Sequence, residues 1–265
     1  MRTDTDFTWA ADPQVRLSYY GGDTERPRPC VLILPGGGYI ACAPMEGSPV
    51  ARHFTELGFA AFRLCYSTLF PDFNHTNGTP NPHTAFPEPL RELAAAIVYI
   101  RERAGLFGVD PDRITLVGFS AGGHLAAHYA NCWNDPVVYE GIGTPEELRP
   151  NACVLGYGAT GECHPDSLLL PAVTGHKAPF SPAEAATLSA VAGVGPQTAP
   201  TFLFHSVSDP LVPVSQSVDM LQALQAAGVP CELHLFSAGG HAYGLGTGEP
   251  MDIWPELAVR FLKQL

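Results

Sequence analysis

At 265 residues the chain is long enough for one large, well-buried α/β domain and short for two. Hydrophobic residues make up 46% and charged residues 15%, which excludes extensive disorder. The formal net charge of −12 argues against a nucleic-acid or anionic-membrane surface, where Lys and Arg must supply the affinity.

The N-terminal stretch Met1–Trp9 is polar and lacks the apolar core of a signal peptide. No apolar run reaches the length of about 18 residues that a bilayer span needs. Seven cysteines are scattered, odd in number and without a CxxC pair, so a disulfide framework is not expected and a reducing compartment fits. These features predict a soluble, cytoplasmic protein.

Short apolar runs then alternate with helical patterns, the pattern of a mostly parallel sheet covered on both faces. Strands are predicted at Val15–Tyr19 and Val31–Leu34, then a glycine run, a helix over Pro49–Leu57 and a strand over Ala60–Tyr66. Thr68–Pro89 is a long Asn- and Pro-rich loop, and loops of this kind shape pocket mouths. A helix opens at Pro87–Pro89 and runs to about Ala104, with Leu90, Leu93, Ala94 and Ile97 on one stripe. Asp110-Pro111-Asp112 is expected to turn the chain into the strand Ile114–Val117, which the helix Ala121–Ala130 follows. Next come the strand Ala152–Tyr157, a second irregular stretch over Glu162–Pro200, and the strand Thr201–His205. A helix over Ser215–Ala227, a strand over Glu232–Phe236 and a helix over Trp254–Leu262 complete the chain, the last packing Leu257, Phe261 and Leu262 on the sheet. The expectation is a single domain spanning 1–265 without a large cap.

Gly118-Phe119-Ser120-Ala121-Gly122 matches G-x-S-x-G between a buried strand and a helix, the context a nucleophile elbow requires. Ser120 is the expected nucleophile, and Gly118 and Gly122 give clearance where the chain crosses itself. Pro35-Gly36-Gly37-Gly38-Tyr39 follows the strand Val31–Leu34, and its backbone can pass close to a bound carbonyl. The oxyanion donors expected are the N–H of Ala121 with that of Gly37 or Gly38, the N–H of Tyr39 being a third option. No Lys-Ser/Thr follows the glycines, as a phosphate loop would need.

A serine needs a base, and the base an orienting carboxylate, each in a loop after a strand and in the order Ser, acid, His. Asp209 follows Thr201–His205 in a turn held by Pro210 and Pro213; His241 follows Glu232–Phe236 behind two glycines. Asp166 precedes the relevant strand, and Asp219 and Glu232 fall within regular elements. Of the other histidines, His124 and His128 lie four apart without a third ligand, and His205 and His234 sit in strands. No metal and no cofactor is implied.

These residues together resemble the small α/β-hydrolase esterases grouped with acetyl xylan esterases, of the xylanase-B-like type. The resemblance runs from about residue 28 onward. It is carried by Pro35–Tyr39, Glu46 with Pro49-Val50-Ala51, Asp110–Ile114, Gly118–Ala126, Asp209 with Val212-Pro213, and Glu232–Phe236 before Gly240-His241. It implies triad roles for Ser120, Asp209 and His241. The partner implied is a small-molecule ester, acetylated sugars or xylo-oligosaccharides first, with Tyr39, Glu46 and Trp133 as candidate substrate contacts. Feruloyl or aryl esterase, formamidase and lipase-like activities share this machinery, and a silent binding protein is the rival outside catalysis. Two segments depart from the family pattern: Gly156-Tyr157-Gly158-Ala159, and Ala242-Tyr243-Gly244 after the histidine.

Overall fold

The computed structural model describes residues 2–21, 26–161, 169–175 and 180–265. Eight strands form one sheet: β1 (Arg2–Asp4), β2 (Arg16–Tyr20), β3 (Arg28–Leu34), β4 (Ala60–Cys65), β5 (Val109–Phe119), β6 (Ala152–Gly156), β7 (Thr201–Ser206) and β8 (Cys231–Phe236). Their spatial order is β1-β2-β4-β3-β5-β6-β7-β8. The pairs β1–β2 and β2–β4 are antiparallel, and every later pairing is parallel.

Five longer helices flank the sheet: α1 (Ser48–Glu56), α2 (Glu88–Glu102), α3 (Ala121–Cys132), α4 (Ser215–Ala226) and α5 (Trp254–Leu262). Successive strand residues point to opposite faces, so β3 sends Leu32 and Leu34 to one core and Val31 and Ile33 to the other. The first core takes Leu93 and Ile97 of α2, Leu125 and Tyr129 of α3, and Met220 and Leu224 of α4. The second takes Phe54 of α1 and Trp254 and Phe261 of α5. Trp254 stacks on Phe204 of β7 at 4.3 Å. Both faces being covered, the central strands are apolar throughout rather than alternating. Between β6 and β7 the described residues form only short helices, Leu170–Thr174, Pro182–Thr187 and Val191–Gly193.

The expected elements are present with shifted ends, and two readings change. The edge strand β1 has no counterpart in the sequence reading. The turn expected at Asp110-Pro111-Asp112 lies inside β5, where pairing with β3 jumps from Arg28↔Val109 to Cys30↔Ile114. The surplus residues bulge outward, with Asp110 Oδ1 accepting the Asp112 N–H at 3.1 Å.

The loop expected over Thr68–Pro89 is tied down at its root. Leu69 and Phe70 donate their N–H groups to the carbonyls of Tyr39 and Ile40, both at 2.9 Å. Beneath it lies a buried cluster of Asp12, Ser67, Asn81 and Glu92. The Ser67 hydroxyl stands against both Glu92 Oε1 and Asp12 Oδ2, yet it has one proton to give. A protonated Glu92 resolves this, donating to Ser67 while Ser67 donates to Asp12.

Burial pushes the Glu92 carboxyl up to about 7, against the hydrogen bonds from Ser67 and with help from the charges of Asp12 and Glu88. A folded-state value raised this way favours the folded form at low pH, and the gain is lost as pH rises from the ordinary carboxyl range through about 7. The shift corresponds to on the order of 3 kcal/mol. Glu92→Gln keeps the protonated pattern at every pH. It is expected to raise the unfolding temperature at about pH 8 and to lose most of that advantage at about pH 5. Equal effects at both pH values would refute the assignment.

Candidate active site

The sheet brings the carboxyl ends of β3, β5, β7 and β8 to one edge, and each is followed by one of the expected loops. After β5 the chain turns at Ser120 with φ 49° and ψ −116°, a conformation that L-residues adopt only under strain. A Cβ on Gly118 would stand 2.4 Å from the Gly122 carbonyl oxygen, and one on Gly122 would stand 2.1 Å from that of Leu34. Only glycine fits at either position. Ser120 N–H bonds to the Gly156 carbonyl at 3.0 Å, which anchors the elbow to β6. Ala121 opens α3, where N–H groups have no acceptor inside the helix.

The glycine loop lies against this elbow. A Cβ on Gly36 would come within 2.8 Å of Ser120 Cβ. Gly37, Gly38 and Tyr39 all have positive φ, which curls the backbone into a concave donor surface. Gly36 N–H is already committed to Glu46 Oε2 at 2.7 Å, so the donors left to face a carbonyl come from the residues after it. The half-exposed ring of Phe73, from the loop after β4, closes over Gly37, with Cζ 3.1 Å from the position of a Cβ there.

Ser120, His241 and Asp209 meet, although their elements lie far apart in sequence. His241 Nε2 is 2.8 Å from Ser120 Oγ, and His241 Nδ1 is 2.6 Å from Asp209 Oδ2. The carboxylate accepts only, so Nδ1 carries the proton and Nε2 is left to accept from Ser120. Asp209 Oδ1 accepts the N–H groups of Leu211 and Val212 at 2.8 and 2.9 Å. Burial pushes its carboxyl up, but hydrogen bonds from His205, His241 and those two amides outweigh it and hold Asp209 well below the ordinary carboxylate range. This arrangement can strip a proton from a serine and return it to a leaving group. Among the described residues, no three or more His, Cys, Asp or Glu side chains gather to hold a metal ion. None of the described helices is long and apolar enough to cross a membrane.

The three expected substrate contacts are placed elsewhere. Tyr39 is fully buried and sets its hydroxyl 3.0 Å from His124 Nδ1. His124 and His128 both point Nε2 at the Leu188 carbonyl, at 3.0 and 2.8 Å, and burial lowers the proton affinity of both rings. Trp133 follows the far end of α3 and donates its indole N–H to the Gln197 carbonyl at 3.1 Å. Glu46 is 1% exposed and lies behind the glycine loop. Besides Gly36 it accepts the Tyr157 hydroxyl at 2.8 Å, and burial raises its carboxyl above the ordinary range.

Tyr157 explains the two departures from the family pattern, because they pack on each other. Its ring lies 4.6 Å from that of Tyr243 and 5.0 Å from that of His241. Its hydroxyl accepts the Gly244 N–H at 2.9 Å while donating to Glu46. A continuous chain of hydrogen bonds therefore joins the glycine loop to the histidine loop. Of the second loop expected at the mouth, Glu162–Pro200, residues 162–168 and 176–179 lie outside the described residues.

Comparison with known proteins gives the family and the fold. The profile of the BD-FAE family matches residues 19–224. Endo-1,4-beta-xylanase B of Butyrivibrio fibrisolvens is 30% identical over 90% of this chain and 36% of its own length. An acetylxylan esterase of Xylanibacter ruminicola is 25% identical over 82% of this chain and 41% of its own. The chain thus spans well under half the length of these two relatives. The crystal structure of an acetyl ester-xyloside bifunctional hydrolase from Caldicellulosiruptor lactoaceticus superposes with a TM-score of 0.78 at 31% identity, covering 94% of this chain and 88% of that one. By its profile match, its strand order and these likenesses, the chain belongs to the BD-FAE family and is an α/β hydrolase of the xylan-esterase-like type.

Proposed function

We propose that the chain, acting as a single domain, is a cytoplasmic serine esterase that hydrolyses short acyl esters and removes acetyl groups from acetylated sugars or xylo-oligosaccharides. The observation that carries the esterase reading is the 2.8 Å contact between His241 Nε2 and Ser120 Oγ beside the glycine loop. Ser120 attacks the ester carbonyl as His241 takes its proton. The N–H groups of Ala121 and of Gly37 or Gly38 receive the oxyanion, and Asp209 steadies the imidazolium. His241 then protonates the departing alcohol. It next deprotonates a water that attacks the acyl-enzyme and releases acid and free Ser120.

The sugar reading is supported by relatives named for acetylxylan and acetyl ester-xyloside substrates. It is supported too by Phe73, a residue 46% exposed whose ring reaches the glycine loop and could pack on a pyranose or an aryl leaving group. That same ring keeps feruloyl and other aryl esters as the second reading.

Specificity constants for acetyl, butyryl, octanoyl and feruloyl esters, with acetate release from acetylated xylo-oligosaccharides, separate these readings. Acetyl esters are expected to lead and acetate to be released. Phe73→Ala is expected to raise KM for sugar and aryl esters about three- to tenfold, the worth of one ring contact, with kcat held. Preference for octanoyl esters, or no acetate from any acetylated sugar, would end the sugar assignment and leave the triad standing.

A further inference from the structure

We infer that His205 is a positioning residue of the reaction, holding the Asp209 carboxylate in place for His241, so that the acid–base unit has four members. This rests on the esterase reading above and goes beyond its three residues.

His205 ends the apolar run Phe202-Leu203-Phe204 of β7 and is itself fully buried. An imidazole in that position is costly unless both nitrogens are satisfied. Nε2 lies 3.1 Å from Asp209 Oδ2 and 3.1 Å from the Val212 carbonyl oxygen, and Nδ1 lies 2.8 Å from Ser217 Oγ on α4. Carboxylate and carbonyl only accept, so Nε2 carries the proton; in the neutral ring Nδ1 accepts the Ser217 hydroxyl. Ser217 is 1% exposed, and its hydroxyl satisfies the nitrogen on the far side of the ring from Asp209.

Asp209 Oδ2 thus receives N–H bonds from two imidazoles, while Oδ1 receives two from the backbone. In the loop carrying it Val207 is 51% and Leu211 72% exposed, while Val212 is buried in the first core. Hydrogen bonds to both oxygens orient the buried carboxylate, and the one from His205 comes from β7 of the sheet. Sharing Oδ2 also disperses the charge that His241 meets. Without His205 the carboxylate would be a stronger acceptor, and the imidazolium of His241 would be harder to deprotonate.

The test uses the 265-residue chain, with kcat and KM for p-nitrophenyl acetate followed across pH. Glu46, Tyr157 and Tyr243, the other ionisable groups facing His241 and Asp209, are left unchanged. His205→Phe is expected to lower kcat about 10²-fold with KM changed less than about threefold, and to move the acid limb of the profile up by about half to one pH unit. His205→Gln, whose amide N–H can reach Asp209, is expected to recover at least about tenfold of that loss. Ser217→Ala touches only the far side of the ring. It should lower kcat about three- to tenfold with a smaller shift in the same direction, and it carries the test should His205→Phe not fold. An unmoved acid limb in every variant, or Phe and Gln variants that lose kcat equally, would overturn the inference. If wild type formed no Ser120 adduct with a fluorophosphonate, the esterase reading would fall first and take this inference with it.

Discussion

Ser120→Ala is expected to lower ester turnover by about 10⁶-fold while leaving the fold intact, the loss typical when a hydrolase of this kind is stripped of its nucleophile. The elbow does not depend on the hydroxyl for its shape. It is held by the Ser120 N–H bond to Gly156 and by the clearance at Gly118 and Gly122. Alanine at φ 49° is no more strained than serine, so unfolding curves should nearly coincide. Turnover above about one hundredth of wild type would place the nucleophile elsewhere.

Asp209→Asn is the second large effect, with kcat expected to fall about 10⁴-fold and KM to change little. The hydrogen bonds explain why an isosteric change does so much. Leu211 and Val212 N–H need an oxygen at Oδ1, so the amide nitrogen must take the Oδ2 position. There it would face N–H groups from both His205 and His241. Donor against donor forces His241 to give up the tautomer in which Nε2 accepts from Ser120. Steady-state kinetics at neutral pH give the answer. Loss of less than about tenfold in kcat would remove Asp209 from the acid role, since the structure puts it in no other contact with the reacting atoms.

The strands were legible because burial on both faces leaves continuous apolar runs such as Val31-Leu32-Ile33-Leu34. Ser120 stood out as the candidate nucleophile because G-x-S-x-G stands between a buried strand and a helix, and its two proposed partners because their loops follow strands in a fixed order. β1 was not, because Arg2-Thr3-Asp4 has no apolar periodicity. The bulge in β5 reads as a turn because Asp-Pro-Asp carries turn chemistry, and only the partner strand shows that pairing resumes.

Glu46 and Tyr39 illustrate a different limit. Polar residues beside a catalytic motif look like substrate contacts when their partners are invisible. Those partners, Tyr157 for one and His124 for the other, lie 111 and 85 residues away. His205 left one usable signal, a histidine ending a run of Phe-Leu-Phe four residues before the acid. A buried imidazole there needs acceptors, and Asp209 is the nearest carboxylate in sequence.

The proposed mechanism requires that Ser120 be acylated. Reaction of the purified protein with a fluorophosphonate, followed by peptide mapping in a mass spectrometer, tests this without knowledge of the natural ester. One adduct per chain is expected, on the Ser120 hydroxyl. It should be absent from Ser120→Ala and formed at a greatly reduced rate in His241→Ala. Stoichiometric labelling of another residue, or ester turnover that continues with Ser120 unmodified, would contradict it.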